Sequence, residues 1–82
     1  MVDPNAPPHG YVIVIETPPL SGGTPMRVGY LVALEEAEEA LASAPQAQVG
    51  ETKYVLGRIP GPALAALGLS RGMNMAIRFD GH

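Results

Sequence analysis

Four basic residues in the second half of the chain, Lys53, Arg58, Arg71 and Arg78, are the side chains best suited to chemistry on a partner. Gathered on one surface, such cations would neutralise phosphates and grip a nucleic acid in a salt-dependent way. Arg27 is the fifth base, and eight acids bring the formal charge to −3. Glu35, Glu36, Glu38 and Glu39 supply four of those eight acids, so the remaining chain holds five bases against four acids. The overall acidity belongs to one short stretch and weighs little against a polyanion partner.

Catalytic sets are hard to assemble from this sequence. There is no cysteine, so a thiol nucleophile and a disulfide are both absent. A Ser-His-acid set would have to use His9 or His82, which sit near opposite ends of the chain. The same separation leaves no zinc site to expect. Adjacent carboxylates occur only in the Glu-rich stretch, where solvent gives their pKa values no reason to move. Glu16, at the end of an apolar run, is the one acid worth inspecting as a general base; a surface acid at a strand end is the plainer reading. Ser21-Gly22-Gly23-Thr24 resembles a phosphate cradle only in composition. A P-loop turn opens into a helix and carries a lysine, whereas this segment runs to Pro25 and then a strand. No enzyme activity, cofactor or metal is expected. The remaining ligand candidate is the loop Thr17–Arg27 as a whole, since connections of this length are either functional or mobile.

The elements that would position these residues are few. Val28–Ala44, VGYLVALEEAEEALASA, passes from a strand into an acidic, alanine-rich helix without turn residues. Leu34, Ala37, Leu41 and Ala44 recur at helical spacing and should face a sheet. The glutamates read as a solvated face, or alternatively as a docking surface for a basic partner. Tyr11–Glu16, YVIVIE, is a strand with apolar residues at successive positions, the pattern of a strand covered on both faces. Thr52–Ile59 is a third strand, with Gly57 a candidate bulge. Pro62–Leu67 is a short helix closed by Gly68, with Leu69 as the apolar contact beyond the cap. Met73–Phe79 alternates cleanly, with Met73, Met75, Ile77 and Phe79 on one side. Residues 1–10 hold three prolines and little apolar content, and read as a disordered N-terminal arm. Residues 11–82 then form one small α+β domain in the order β-β-α-β-α-β. The expected architecture is a four-stranded, mostly antiparallel sheet with two short helices on one face.

Residues 57–81, GRIPGPALAALGLSRGMNMAIRFDG, resemble the strand–helix–strand of AbrB/MazE-type DNA-binding proteins. The shared features are Gly-Arg, an Ile-Pro opening a short helix, a Leu-Gly-Leu turn, a glycine and a terminal strand. The match covers about a third of the chain. Gly57-Arg58 abuts Ile59-Pro60, where that family places residues between them, and the preceding β-β-α is not part of that fold. The resemblance makes Arg58 the matching DNA-contact position. Tyr11, Tyr30 and Tyr54 each fall in a strand and could form a stacking platform if they share a face; core or interface packing is the plainer role.

An 82-residue chain buries a modest fraction of its surface, and small folds commonly gain support from disulfides, metals or a partner. With the first two removed, self-association is what remains. Strands apolar on both faces point the same way, because helices on one face would leave the other uncovered. The sequence therefore predicts a non-catalytic protein–protein interaction domain, a homodimer in the cytoplasm, open to a further protein partner. The alternatives are a nucleic-acid-binding regulator using Lys53, Arg58, Arg71 and Arg78, and a small-ligand site at 17–27. No run approaches the roughly 20 apolar residues needed to span a bilayer.

Overall fold

A computed structural model describes residues 7–19 and 23–78, the last of them by its backbone alone. Met1–Ala6 of the expected arm, Leu20, Ser21 and Gly22 of the loop, and Phe79–His82 lie outside the described residues. Four strands and two helices follow in the expected order: β1 His9–Thr17, β2 Met26–Val32, α1 Ala37–Ser43, β3 Thr52–Pro60, α2 Gly61–Ala66 and β4 Asn74–Arg78. They make one open antiparallel sheet in the order β3-β1-β2-β4. The most apolar strand, β1, takes an interior position, as its two-sided pattern requires.

The helices divide between the faces, where the sequence pattern predicts both on one. On one face, Ile13 and Val32 pack with Ala40 of α1 and with Ala44 at its C-cap, flanked by Tyr11, Tyr30, Leu41 and Val55. On the other, Leu31 and Ala33 pack with Leu64 of α2 and with Leu69, flanked by Val12, Ile59, Met75 and Ile77. The reason is the two-residue period of strands: Ile13 is paired with Tyr30 and Val12 with Leu31, so the two sets point in opposite directions. A helix on each side covers both apolar sets of β1. The case for a second subunit lying over a bare sheet face therefore disappears, and what stays unpaired is the pair of sheet edges.

The helices are short and held at their ends. Ala40 of α1 and Ala44 at its C-cap are buried while Leu41 is half-buried, and the small side chains let the helix lie close to the sheet. Glu38 and Glu39 occupy its first turn, where acids suit the helix dipole. Its last turn carries no base, yet Lys53 Nζ of β3 donates to the Ala44 carbonyl at 3.2 Å. The α2 helix ends as predicted: Gly68 has φ +75°, and Leu69 N–H reaches back to the Leu64 carbonyl at 3.0 Å. Leu64 and Leu69 are both buried, and a fully buried leucine contributes about 1.5–3 kcal/mol.

The chain is engaged earlier than the arm reading implied. β1 opens at His9, Pro7 is buried, and Gly61 N–H donates to the Pro8 carbonyl at 2.9 Å. Among the described residues no helix is long and apolar enough to cross a membrane.

Candidate interaction surface

Among the described residues each outer strand leaves one side of its backbone unpaired, and the candidate basic residues distribute over both edges. Lys53 and Arg58 belong to β3. In the register of the sheet Lys53 is paired with Ile15 and Arg58 with Tyr11, which places both on the α1 face. Arg78 closes β4 at the opposite edge, paired with Val28. Three strand spacings of about 4.8 Å separate the two edges. Arg71 lies in the turn between α2 and β4, where its guanidinium pairs with Glu35 at 2.5 Å. The structure thus brings Lys53 and Arg58 onto one edge and does not bring Arg71 or Arg78 to them.

The β3 edge has a break in its middle. Its pairing with β1 shifts between Val12 and Ile13: Val12 faces Gly57, while Ile13 faces Val55. Leu56 is the extra residue, and it stands 57% exposed beside the glycine that the sequence marked as a bulge. Arg58 is exposed and makes no ion pair among the described residues. The β4 edge is shorter and regular, with Asn74 and Ala76 exposed and Met75 and Ile77 half-buried on the α2 face. Both helices lie over the β1–β3 half of the sheet, and β4 meets chiefly β2.

The other candidates resolve into local structure. Glu16 accepts from Arg27 Nε at 2.6 Å, across the β1–β2 ladder, and this contact raises the Arg27 pKa above its ordinary value. Solvent screens an exposed pair of this kind, so it contributes little to stability. At the same end of the sheet, Thr17 Oγ1 donates to Glu51 Oε2 at 2.5 Å and Gln48 N–H donates to Glu51 Oε1 at 2.7 Å. These two donors, the threonine first, hold the Glu51 carboxyl below its ordinary pKa. Tyr11 and Tyr30 pack on the α1 cluster, whereas Tyr54 is paired with Val14 and so points to the other face. The three tyrosines form no common platform. Among the described residues no group of acids and histidines is placed to hold a metal.

A junction that the sequence did not signal lies at Glu35. His9 Nε2 is 2.9 Å from the Glu35 carbonyl, and the His9 ring meets Tyr11 edge-on. With Arg71 on its carboxylate, Glu35 is held by both the start of β1 and the α2–β4 turn. Its partners lie 26 residues or more away, beyond the reach of local spacing rules.

Of the resemblance noted for 57–81, the strand–helix–strand order is present as the end of β3, α2 and β4. The two flanking strands stand at opposite edges of one sheet rather than side by side. Compared with known proteins, the chain matches no family model, no curated protein and no solved structure.

Proposed function

We propose that the protein is a small non-catalytic interaction domain that self-associates. The observation that supports this most is the open sheet. Among the described residues both outer strands carry unpaired backbone groups, and such edges are templates for pairing with another chain. A fold of this size that lacks disulfides gains from that association. The absence of cysteine from the whole sequence supports work in the cytoplasm, where thiols stay reduced. Sedimentation equilibrium at micromolar concentration is expected to give twice the chain mass of 8.5 kDa. A mass of one chain throughout would overturn the reading.

A nucleic-acid reading keeps one supporting observation, the shared edge and face of Lys53 and Arg58. Retention on random duplex DNA that falls steeply with salt would favour it. No retention at about 50 mM salt would remove it.

A further inference from the structure

The two edges of the sheet differ, and one of them is self-complementary. Natural edge strands are kept from pairing by lysines, prolines and bulges. β3 carries Lys53, the bulge at Leu56 and Pro60. The bulge also switches which face its residues use, so a straight neighbour matches only half of β3 at a time. β4, NMAIR, has no lysine, no proline and an unbroken register with β2.

The direction of its open groups follows from one hydrogen bond. Ala33 N–H donates to the Met73 carbonyl at 3.0 Å, so that carbonyl turns toward β2, while the Met73 N–H closes its own turn on the Ser70 carbonyl. By the alternation of antiparallel ladders, Met75 and Ile77 also turn to β2, while Asn74, Ala76 and Arg78 turn outward.

We propose that two copies of the chain dimerise edge to edge through β4, antiparallel about a two-fold axis at Ala76, joining two four-stranded sheets into one. The proposal rests on the self-associating reading above and names its surface. In this register Ala76 faces Ala76 of the other copy, Asn74 faces Arg78, and Met75 faces Ile77. Every opposed pair uses the same face of the sheet. Apolar residues meet on the α2 side, and small or polar ones on the α1 side. No like charges stand opposite one another. All three outward residues of each copy are used, giving about six hydrogen bonds; a shift by two residues leaves some of them unpaired. Neither helix stands in the way, because both lie toward the β3 side.

Two measurements test this. The chain has no cysteine of its own, so single cysteines report without background. Opposed residues in a hydrogen-bonded pair have Cα atoms about 5.5 Å apart, within disulfide range. Under mild oxidation Ala76→Cys is expected to cross-link into a covalent dimer. Asn74→Cys, separated from its own copy by about 14 Å, is expected not to. Equal cross-linking of both variants overturns the register. Ala76→Pro removes an outward N–H and leaves the β2 ladder intact, so it should fold and weaken dimerisation roughly tenfold or more. A wild type of twice the chain mass whose Ala76→Pro variant dimerises equally well, with no cross-link at Ala76→Cys, overturns the β4 interface and leaves self-association standing. A wild type of single mass at about 100 μM overturns both.

Discussion

The β3 and β4 edges close the same sheet and face opposite demands. β3 runs nine residues and β4 five, so β3 is the greater hazard if left bare. It is also the better guarded and the better anchored. Both helices pack over its half of the sheet, Lys53 is spent on the end of α1, and Gly61 ties its exit to the Pro8 carbonyl. Among the described residues β4 has one neighbouring strand, and its Met75 and Ile77 only flank the cluster under α2. Chemistry that keeps a strand monomeric is concentrated where the strand is already held by its own chain. The edge with fewest internal contacts is the one left flat.

Anchoring is the part of this contrast that a single atom can break. Gly10 pairs with Ile59 of β3, and a Cβ placed there would stand 2.3 Å from the Val32 carbonyl oxygen and 3.0 Å from Leu64 Cδ1. Backbone cannot yield to such an overlap cheaply. Gly10→Ala is expected to destabilise the fold by about 3 kcal/mol or more in urea titration. Gly57, two positions before Ile59 on the same strand, has nothing within 4 Å of its Cβ position, and its φ lies outside the left-handed region. Gly57→Ala should be neutral or stabilise by about 0.4–1 kcal/mol, by restricting the unfolded chain. Equal losses at the two positions would mean that β3 is not anchored through Gly10.

Guarding is tested by removing the bulge. Deleting Leu56 leaves Gly57 opposite Val12 and Val55 opposite Ile13, a straight edge in the same register. The core is untouched, so circular dichroism should be close to that of the wild type. With two flat edges, each copy could pair on both sides and grow without closing. Light scattering is therefore expected to rise with concentration in the deletion variant and not in the wild type. Equal scattering from both would show that Lys53, Arg58 and Pro60 guard β3 without the bulge.

The sequence made the sheet legible because its strand signals are short-range. β-branched runs in YVIVIE, the alternation of MNMAIR and the Gly68 cap all act within a few residues of themselves. Even the bulge near Gly57 left a trace, since glycine in a strand weakens pairing locally. Which face each helix takes was not legible in the same way. It depends on a one-residue choice of parity where each helix meets the sheet, and alanine-rich helices carry little side chain to announce it. The constraint at Gly10 was hidden too, because nothing beside it in sequence reveals that Val32 and Leu64 close over it. The basic residues were legible as types, but their grouping was not. Lys53 and Arg58 share an edge through strand order, and Arg71 is drawn off by a glutamate of the β2–α1 connection.

The smallest expected effect sharpens how β3 begins. Glu51 precedes β3 and takes hydrogen bonds from Thr17 at the end of β1 and from the Gln48 N–H. Its carboxyl therefore has a lower pKa in the folded chain than in the unfolded one. The unfolded state then binds more protons in the carboxylate range. The stability this confers is complete above the unfolded value, near 4.3, and is lost as pH falls through the folded value. Thr17→Val removes the first donor and should cost a small amount at pH 7. That cost should shrink at acid pH, once the carboxyl has taken up its proton in both proteins. Urea midpoints for wild type and variant at the two pH values decide it. A difference that stays the same at both would assign the loss to the packing of the threonine and not to its bond with Glu51. β4 has no acid fixed at its start in this way among the described residues, so Thr17→Val should leave cross-linking at Ala76→Cys unchanged.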